Sequence, residues 1–380
     1  MDTPRERVQC GVTYWSSEVG PYVWHEFDTE RTAAELRGIS AAGFRVLRTL
    51  LPWDAFMPTP RGVDQARMRD LEVLLTVAAA ESLEVIPVLF VQSFGDCVML
   101  PGYAIDVDHP RRGVRVLTGG VVQPGGPRDI YTEPRMLEPA LLWLEQMLAA
   151  FAGHPSISMW DLGSDPASTV RPRRIAHLHD WVAAMAVQLR ERDGRGTLTM
   201  GSRDVTTARG VRIGPVAQEL GRAGIEVDPG GVPLGDAALD PSVTRFVAQL
   251  GQRLAGDDAE LSIHVGDSPQ ADAFSGLVEV GCAGVHATQW SNCGARVSGV
   301  PPFDRAPGLC ERGVVDSTGE LTAFGRVWSA NARVEHERRA RSPWPARLDV
   351  DTYYANLPDS LHDLYAAWRR ETDDHPGMLV

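Results

Sequence analysis

The chain has 380 residues, of which 43% are apolar and 23% are charged, and its formal net charge is −13 at pH 7. This length suits one long domain or two, and this composition is ordinary for a soluble globular protein. The acidic balance argues against nucleic-acid binding, which requires a basic face, and no apolar run reaches the roughly 18 residues of a membrane span.

The basic residues add a further exclusion, because all 37 of them are arginine. Without lysine the chain cannot form a Schiff base, so lysine-dependent aldolases and pyridoxal-phosphate enzymes are excluded. The five cysteines match no zinc-binding spacing, so we expect reduced, mostly buried thiols and neither a metal nor a cofactor. Residues 1–7 are charged and have no apolar signal-peptide core, which indicates a cytoplasmic protein.

Eight short apolar runs predict β-strands in chain order. They occupy residues 8–15, 43–51, 84–90, 157–162, 197–201, 224–228, 260–265 and 284–290. Amphipathic stretches typical of helices separate them, including residues 29–42, 68–80, 139–152 and 175–190. Apolar strands that alternate with helices indicate a parallel sheet covered on both faces. Eight of them favour a closed barrel over an open doubly wound sheet, and no Gly-x-Gly-x-x-Gly follows a strand to support dinucleotide binding.

The predicted fold class is therefore α/β, with a (β/α)8 TIM barrel over residues 1–335. One long loop follows the third strand at residues 96–135, and we expect it over the barrel mouth, where all βα loops gather. Residues 336–380 are predicted to form a C-terminal helical extension. Its aromatic and leucine side chains between 344 and 368 indicate a helix packed on the barrel exterior.

Several motifs carry a family resemblance. Three segments occur in order along the chain: Gly-Val-Thr-Tyr-Trp at 11–15 within the first strand, Pro-Trp-Asp-Ala-Phe-Met-Pro at 52–58 after the second, and Trp-Asp-Leu-Gly-Ser-Asp-Pro at 160–166 at the end of the fourth. They resemble the clan A retaining glycoside hydrolases, the cellulase and β-mannanase-like barrels. The resemblance implies a sugar-binding cleft and two catalytic carboxyl groups from the ends of the fourth and seventh strands, about 5–5.5 Å apart.

Both catalytic positions depart from that family. Asp165 stands where the family has its acid/base Glu, and the shorter side chain retracts the carboxyl by roughly 1.5 Å. His264 stands where the family has its nucleophilic Glu, and imidazole is a poor nucleophile toward an anomeric carbon. Ser164 replaces the Asn that contacts the sugar 2-hydroxyl. The family's His-x-Tyr on the sixth strand is also missing, since this chain has Val227-Asp228-Pro229 there.

Other positions match the family's substrate site. By resemblance, Arg48 supports the residue at the nucleophile position and Trp290 forms an aromatic platform under the sugar. Trp15, Trp24 and Trp53 lie in mouth loops, where aromatic faces could bind sugar rings. Core or rim packing is the alternative interpretation of each tryptophan.

Two further carboxyl groups could replace the lost nucleophile. Asp204 and Asp267 follow the fifth and seventh strands. A solvated loop acid or a helix cap is the alternative interpretation of each.

Three functional hypotheses follow. In the first, Asp165 and His264 face each other across the mouth and perform non-standard acid/base chemistry, such as elimination, isomerisation or cyclisation, on a sugar or glycosylated small molecule. In the second, the chain is a catalytically silent carbohydrate-binding relative that partners an active paralogue. In the third, it is an active β-glycosidase that uses Asp165 with a displaced carboxylate such as Asp267. A metal site of His264 and nearby aspartates has no spacing motif to support it.

Overall fold

The computed structural model describes residues 7–90, 93–165, 170–266, 273–341, 344 and 348–374. Eight parallel strands close into a barrel in chain order, and the eighth strand pairs with the first. They are Gln9–Tyr14, Val46–Leu50, Glu84–Phe90, Trp160–Ser164, Gly196–Gly201, Arg222–Val227, Glu260–Val265 and Gly284–Ala287. The predicted (β/α)8 barrel is therefore confirmed, and each predicted apolar run overlaps its strand.

Twelve α-helices occur among these described residues, most of them on the outside of the barrel. They are Thr29–Ala41, Trp53–Phe56, Gln65–Ala80, Pro134–Phe151, Ile175–Arg192, Ser202–Thr206, Ile213–Leu220, Val243–Ala255, Ala273–Glu279, Ala323–Ala332, Val350–Ala355 and Asp359–Asp374. Side-chain caps begin several of them; for example, Asp28 accepts a hydrogen bond from the Arg31 backbone N–H at 2.7 Å.

The strands alternate between two environments, because successive side chains point to opposite faces. On the second strand, Leu47 faces outward into the main core with the helices, whereas Val46 and Arg48 face the barrel interior. Thr199 and His264 on later strands are also buried, and they belong to a polar barrel interior. The interior therefore holds polar side chains above a small apolar layer, and it opens into a cavity at the carboxyl ends of the strands.

The segment after the third strand has secondary structure of its own. The strands Ser93–Phe94, Cys97–Met99, Arg115–Thr118 and Val121–Gln123 form a small sheet. Arg115 ties this sheet to the loop after the eighth strand, because its guanidinium lies 2.7 Å from carboxylate oxygens of both Asp96 and Asp304. Within the predicted long loop, short strands thus hold one wall of the barrel mouth in place.

The C-terminal extension packs on the barrel through two helices, Val350–Ala355 and Asp359–Asp374. Tyr365 and Trp368 meet Phe246 of the helix Val243–Ala255, with ring centroids 5.0 and 5.6 Å apart. The Tyr353 hydroxyl donates to the Val205 carbonyl at 2.8 Å. The extension therefore covers helices that follow the fifth and sixth strands. Within the described part of the chain, no helix has the length and apolarity that crossing a membrane requires.

Candidate active site

A cavity of about 600 Å³ lies at the carboxyl ends of the barrel strands. This is the end at which TIM-barrel enzymes place their active sites, and the volume lies within the range of small-molecule sites. Its polar lining comes from several strand ends and mouth loops, and includes Thr13, Arg48, Ser164, Asp165, Arg203, Glu226, Asp228, Gln289 and Arg312.

Asp165 projects into this cavity directly after the fourth strand. Its φ of 46° is in the left-handed region, which Asp tolerates better than most residues. Its carboxyl group lies against the end of the fifth strand, where a methyl group added to Gly201 would be 2.9 Å from Asp165 Cγ. The missing side chain at Gly201 therefore makes room for the Asp165 carboxyl group.

Glu226 is a second cavity carboxyl group, on the sixth strand. The Ser164 hydroxyl donates to its Oε2 at 3.3 Å, which places Glu226 beside the turn that carries Asp165. Its neighbours in strand register are Gly201 and His264. Sequence reasoning did not single out Glu226. The available signal was a lone acid in an apolar strand, near the end that faces the mouth.

The cation Arg48 is paired with a residue that sequence reasoning also missed. Its Nη2 and Nε lie 2.8 and 3.1 Å from Asp161 Oδ2, and both side chains are buried. Asp161 also accepts hydrogen bonds from the Thr199 hydroxyl at 2.7 Å and from the Gly163 backbone at 3.0 Å. The predicted partner of Arg48 was the residue at position 264. The structure instead has Asp161 satisfying its charge.

His264 differs from its predicted position. It is 3% exposed and does not contribute to the cavity lining, so the structure does not set it opposite Asp165 at the mouth. Its ring lies 4.8 Å from the ring of His286, centroid to centroid. Burial lowers the pKa of His264 well below its ordinary value, and the nearby Arg48 charge and His286 lower it further. The imidazole is therefore neutral at ordinary pH and lies in the barrel interior.

Trp15 is the one predicted sugar-binding tryptophan that lines this cavity. Its ring packs edge-on against Phe94 and Phe303, with centroids 5.5 and 5.6 Å away. Phe94 belongs to the small sheet after the third strand. Trp15 thus joins the barrel to this wall of the mouth.

Three other tryptophans do not line the cavity and pack in the layer between strands and helices. Trp53 packs edge-on against Phe90 and Tyr103 and at a tilt against Trp143. The remaining two, Trp24 and Trp290, pack on Phe56 and Phe44 respectively. These large apolar rings are stabilised by full burial, which favours the packing interpretation over the predicted sugar platform.

The structure describes one of the two carboxyl groups that were predicted to replace the nucleophile. Asp204 is buried outside the cavity lining and accepts hydrogen bonds from the backbone N–H groups of Gly201 and Val211 at 3.2 and 3.0 Å. Burial raises its pKa to about 6. It therefore organises the turn after the fifth strand, while Asp267 lies outside the described residues.

Metal-binding geometry is absent from the part of the chain that the structure describes, since no group of three or more His, Cys, Asp or Glu side chains is arranged to hold an ion. The five cysteines are free thiols, and all but Cys293 are buried.

Comparisons with solved structures show that this barrel has a fold found among glycoside hydrolases. No protein-family model and no curated protein sequence matches the chain. Among solved structures, a GH5_18 protein from Streptomyces cattleya in complex with GlcNAc aligns with a TM-score of 0.78 at 15% identity, over 98% of this chain and 92% of that one. The exo-β-1,4-mannosidase Op5Man5 from Opitutaceae bacterium strain TAV5 aligns with a TM-score of 0.73 at 18% identity, over 87% of this chain and 60% of the mannosidase.

A family 1 β-glucosidase from Thermotoga maritima also aligns, with a TM-score of 0.59 at 12% identity, over 88% of this chain and 99% of the glucosidase. Identities this low show a shared fold and leave activity open. The resemblance first suggested by the strand motifs is thus confirmed at the level of the fold: the chain has the (β/α)8 barrel of the clan A glycoside hydrolases.

Proposed function

We propose that the cavity binds a sugar or glycoside and that Asp165 and Glu226 perform acid/base chemistry on it. The observation that supports this most directly is that both carboxyl groups line one cavity of about 600 Å³ at the catalytic end of the barrel. The aligned Streptomyces cattleya structure holds GlcNAc, which is consistent with a carbohydrate ligand here.

The two carboxyl groups suit different roles. Asp165 stands at the position that carries the acid/base residue in the family that the chain resembles. We therefore assign it the role of proton donor to a leaving oxygen. Glu226 is half-buried and accepts a hydrogen bond from the Ser164 hydroxyl. We assign it the role of the base that removes a proton from the substrate. Glu226 therefore takes the role that the sequence had suggested for His264, whose buried neutral ring has no part in the cavity surface.

Retaining hydrolysis is the less favoured outcome. It requires a nucleophilic carboxylate, and the described seventh strand offers neutral His264 at that position. A second candidate function is a catalytically silent sugar-binding protein. The buried Arg48–Asp161 pair favours it. Because Asp161 neutralises the charge of Arg48, this cation is no longer available to support a nucleophile.

A panel of aryl glycosides separates these functions. Acid/base chemistry predicts a product distinct from the free aglycone and the free sugar, observed by NMR, and a loss of turnover in both Asp165→Asn and Glu226→Gln. The control is Asp363→Asn, an exposed acid on the C-terminal helix. A silent binder would bind panel members in calorimetry without converting any. Release of aryl aglycone that survives in both variants would contradict the proposed roles.

A further inference from the structure

Two of the three arginines that line the cavity differ from the third in their charge partners. Arg203 and Arg312 both line it, and neither guanidinium forms an ion pair or hydrogen bond with any residue that the structure describes. Arg48, the third cavity arginine, is neutralised by Asp161. Elsewhere in this acidic chain, buried or half-buried arginines such as Arg115 and Arg338 meet carboxylates. Arg312 is half-buried and Arg203 is exposed, and neither has a carboxylate partner among the residues that the structure describes.

The two guanidinium groups belong to neighbouring parts of the rim. Arg203 lies on the helix Ser202–Thr206, and its Cγ is 3.8 Å from the position that a Cβ at Gly231 would occupy. Arg312 reaches the end of the seventh strand, where its Nη1 is 3.8 Å from the corresponding position at Gly266. The two arginines thus approach the cavity from either side of the sixth strand, which carries Glu226.

The chemistry of these groups indicates an anion. A guanidinium presents five donors in a planar fork that matches a carboxylate or phosphate with two parallel hydrogen bonds. The cavity carboxyl groups Asp165, Glu226 and Asp228 repel an anion. Asp228 lies near Arg203, since its Oδ2 is 3.5 Å from the Cβ position at Gly231, so the favourable position for an anion is nearer to Arg312. An anionic substituent held there would turn the rest of the substrate toward Asp165.

We propose that the substrate is an acidic glycoside whose carboxylate or phosphate is held between Arg203 and Arg312. This inference rests on the proposed function and narrows its substrate class. Glycine at position 266 keeps a side chain out of the space beside Arg312.

Calorimetry with the intact protein tests the proposal. The probes are phenyl β-glycosides of gluco, galacto and manno configuration, the matching uronides and the matching 6-phosphates. At least one acidic probe is expected to bind about tenfold or more tightly than its neutral counterpart, and Arg203→Gln or Arg312→Gln should each remove roughly that factor. The affinity should also fall with added salt. The uronide and phosphate arms identify which anion is preferred.

The control is Arg61→Gln, an exposed arginine outside the cavity lining, which should bind the acidic probe as the unmodified protein does. Equal affinity for neutral and acidic probes, or unchanged affinity in both cavity variants, would overturn the proposal. If neutral glycosides bind and Asp165→Asn abolishes their conversion, the acid/base function stands and only the anionic substrate fails. If no probe of either charge binds, both fail.

Discussion

The guanidinium of Arg48 and the carboxylate of Asp161 form a buried ion pair at 2.8 Å, between the second and fourth strands of the barrel. Thr199 on the fifth strand donates to the same carboxylate, so three strands share one polar network beneath the cavity. In consequence, the positive charge of Arg48 is already neutralised within the barrel. This pairing explains how the seventh strand can carry His264 without leaving a buried cation unpaired.

Removing the negative partner should destabilise the fold. In Asp161→Asn, Arg48 becomes an uncompensated buried charge, and breaking such pairs typically costs about 3–5 kcal/mol. Urea denaturation measures this loss. The matched control is Glu335→Gln, which breaks the exposed pair with Arg7 and should cost about 0–1 kcal/mol. Similar losses in both variants would show that Asp161 does not compensate Arg48.

Moving the carboxylate should partly rescue the fold. His264→Glu alone places a second carboxylate near a cation that Asp161 already neutralises, so we expect a loss of several kcal/mol. In the double variant with Asp161→Asn, Arg48 can pair with the new Glu. A double-mutant cycle should therefore give a favourable coupling of about 1–3 kcal/mol. Strictly additive losses would mean that residue 264 does not sense the Arg48 charge.

The stability of the protein should fall in acid partly through His286. Burial, assisted by the Arg48 charge, lowers the pKa of this histidine from 6.5 to about 3. Between those values the unfolded chain binds a proton that the folded chain does not, so the free energy of unfolding decreases as pH falls. The limit is about 1.4 kcal/mol per pH unit. Below pH 6.5, His286→Gln should therefore show a shallower slope in denaturation midpoints than the unmodified protein, and identical slopes would exclude this origin.

The position of the Asp165 carboxyl group can be tested through its neighbour Gly201. In Gly201→Ala, the new methyl group would lie 2.9 Å from Asp165 Cγ, so the carboxyl group must move. A displacement of about 1 Å can reduce turnover by ~100-fold. The backbone at Gly201, with φ −79° and ψ 156°, accepts alanine, so thermal stability should change little. Gly299→Ala, where an added methyl group meets no atom within 4 Å, is the control. Full activity in Gly201→Ala would show that the Asp165 position does not matter to the reaction.

The sequence was most informative where the physical signal is local. Strands buried on both faces must be apolar along their whole length, so all eight could be recognised from short runs. The small sheet at 93–123 was not recognised. Its strands have two to four residues, too few to show a period.

The partners within the site have no such local signature. Arg48 and Asp161 are 113 residues apart, and nothing adjacent to either indicates the other. The indole rings of Trp15, Trp53 and Trp290 are chemically identical in sequence, yet one lines the cavity and two are packed beneath helices.

The sequence by itself determined the barrel, because each segment carries its own hydrophobic pattern. A closed barrel is one of the few arrangements in which eight such segments bury their apolar side chains together. It also predicted, through the family resemblance, that Asp165 and His264 stand at the catalytic positions. Only the tertiary structure decided that Asp165 enters the cavity while His264 is enclosed, and that Asp161 neutralises Arg48. It also brought Glu226 into the same cavity as Arg203 and Arg312, which have no partner among the described residues. The direction, burial and charge environment of a side chain depend on residues brought together by barrel closure, and chain order does not encode them locally.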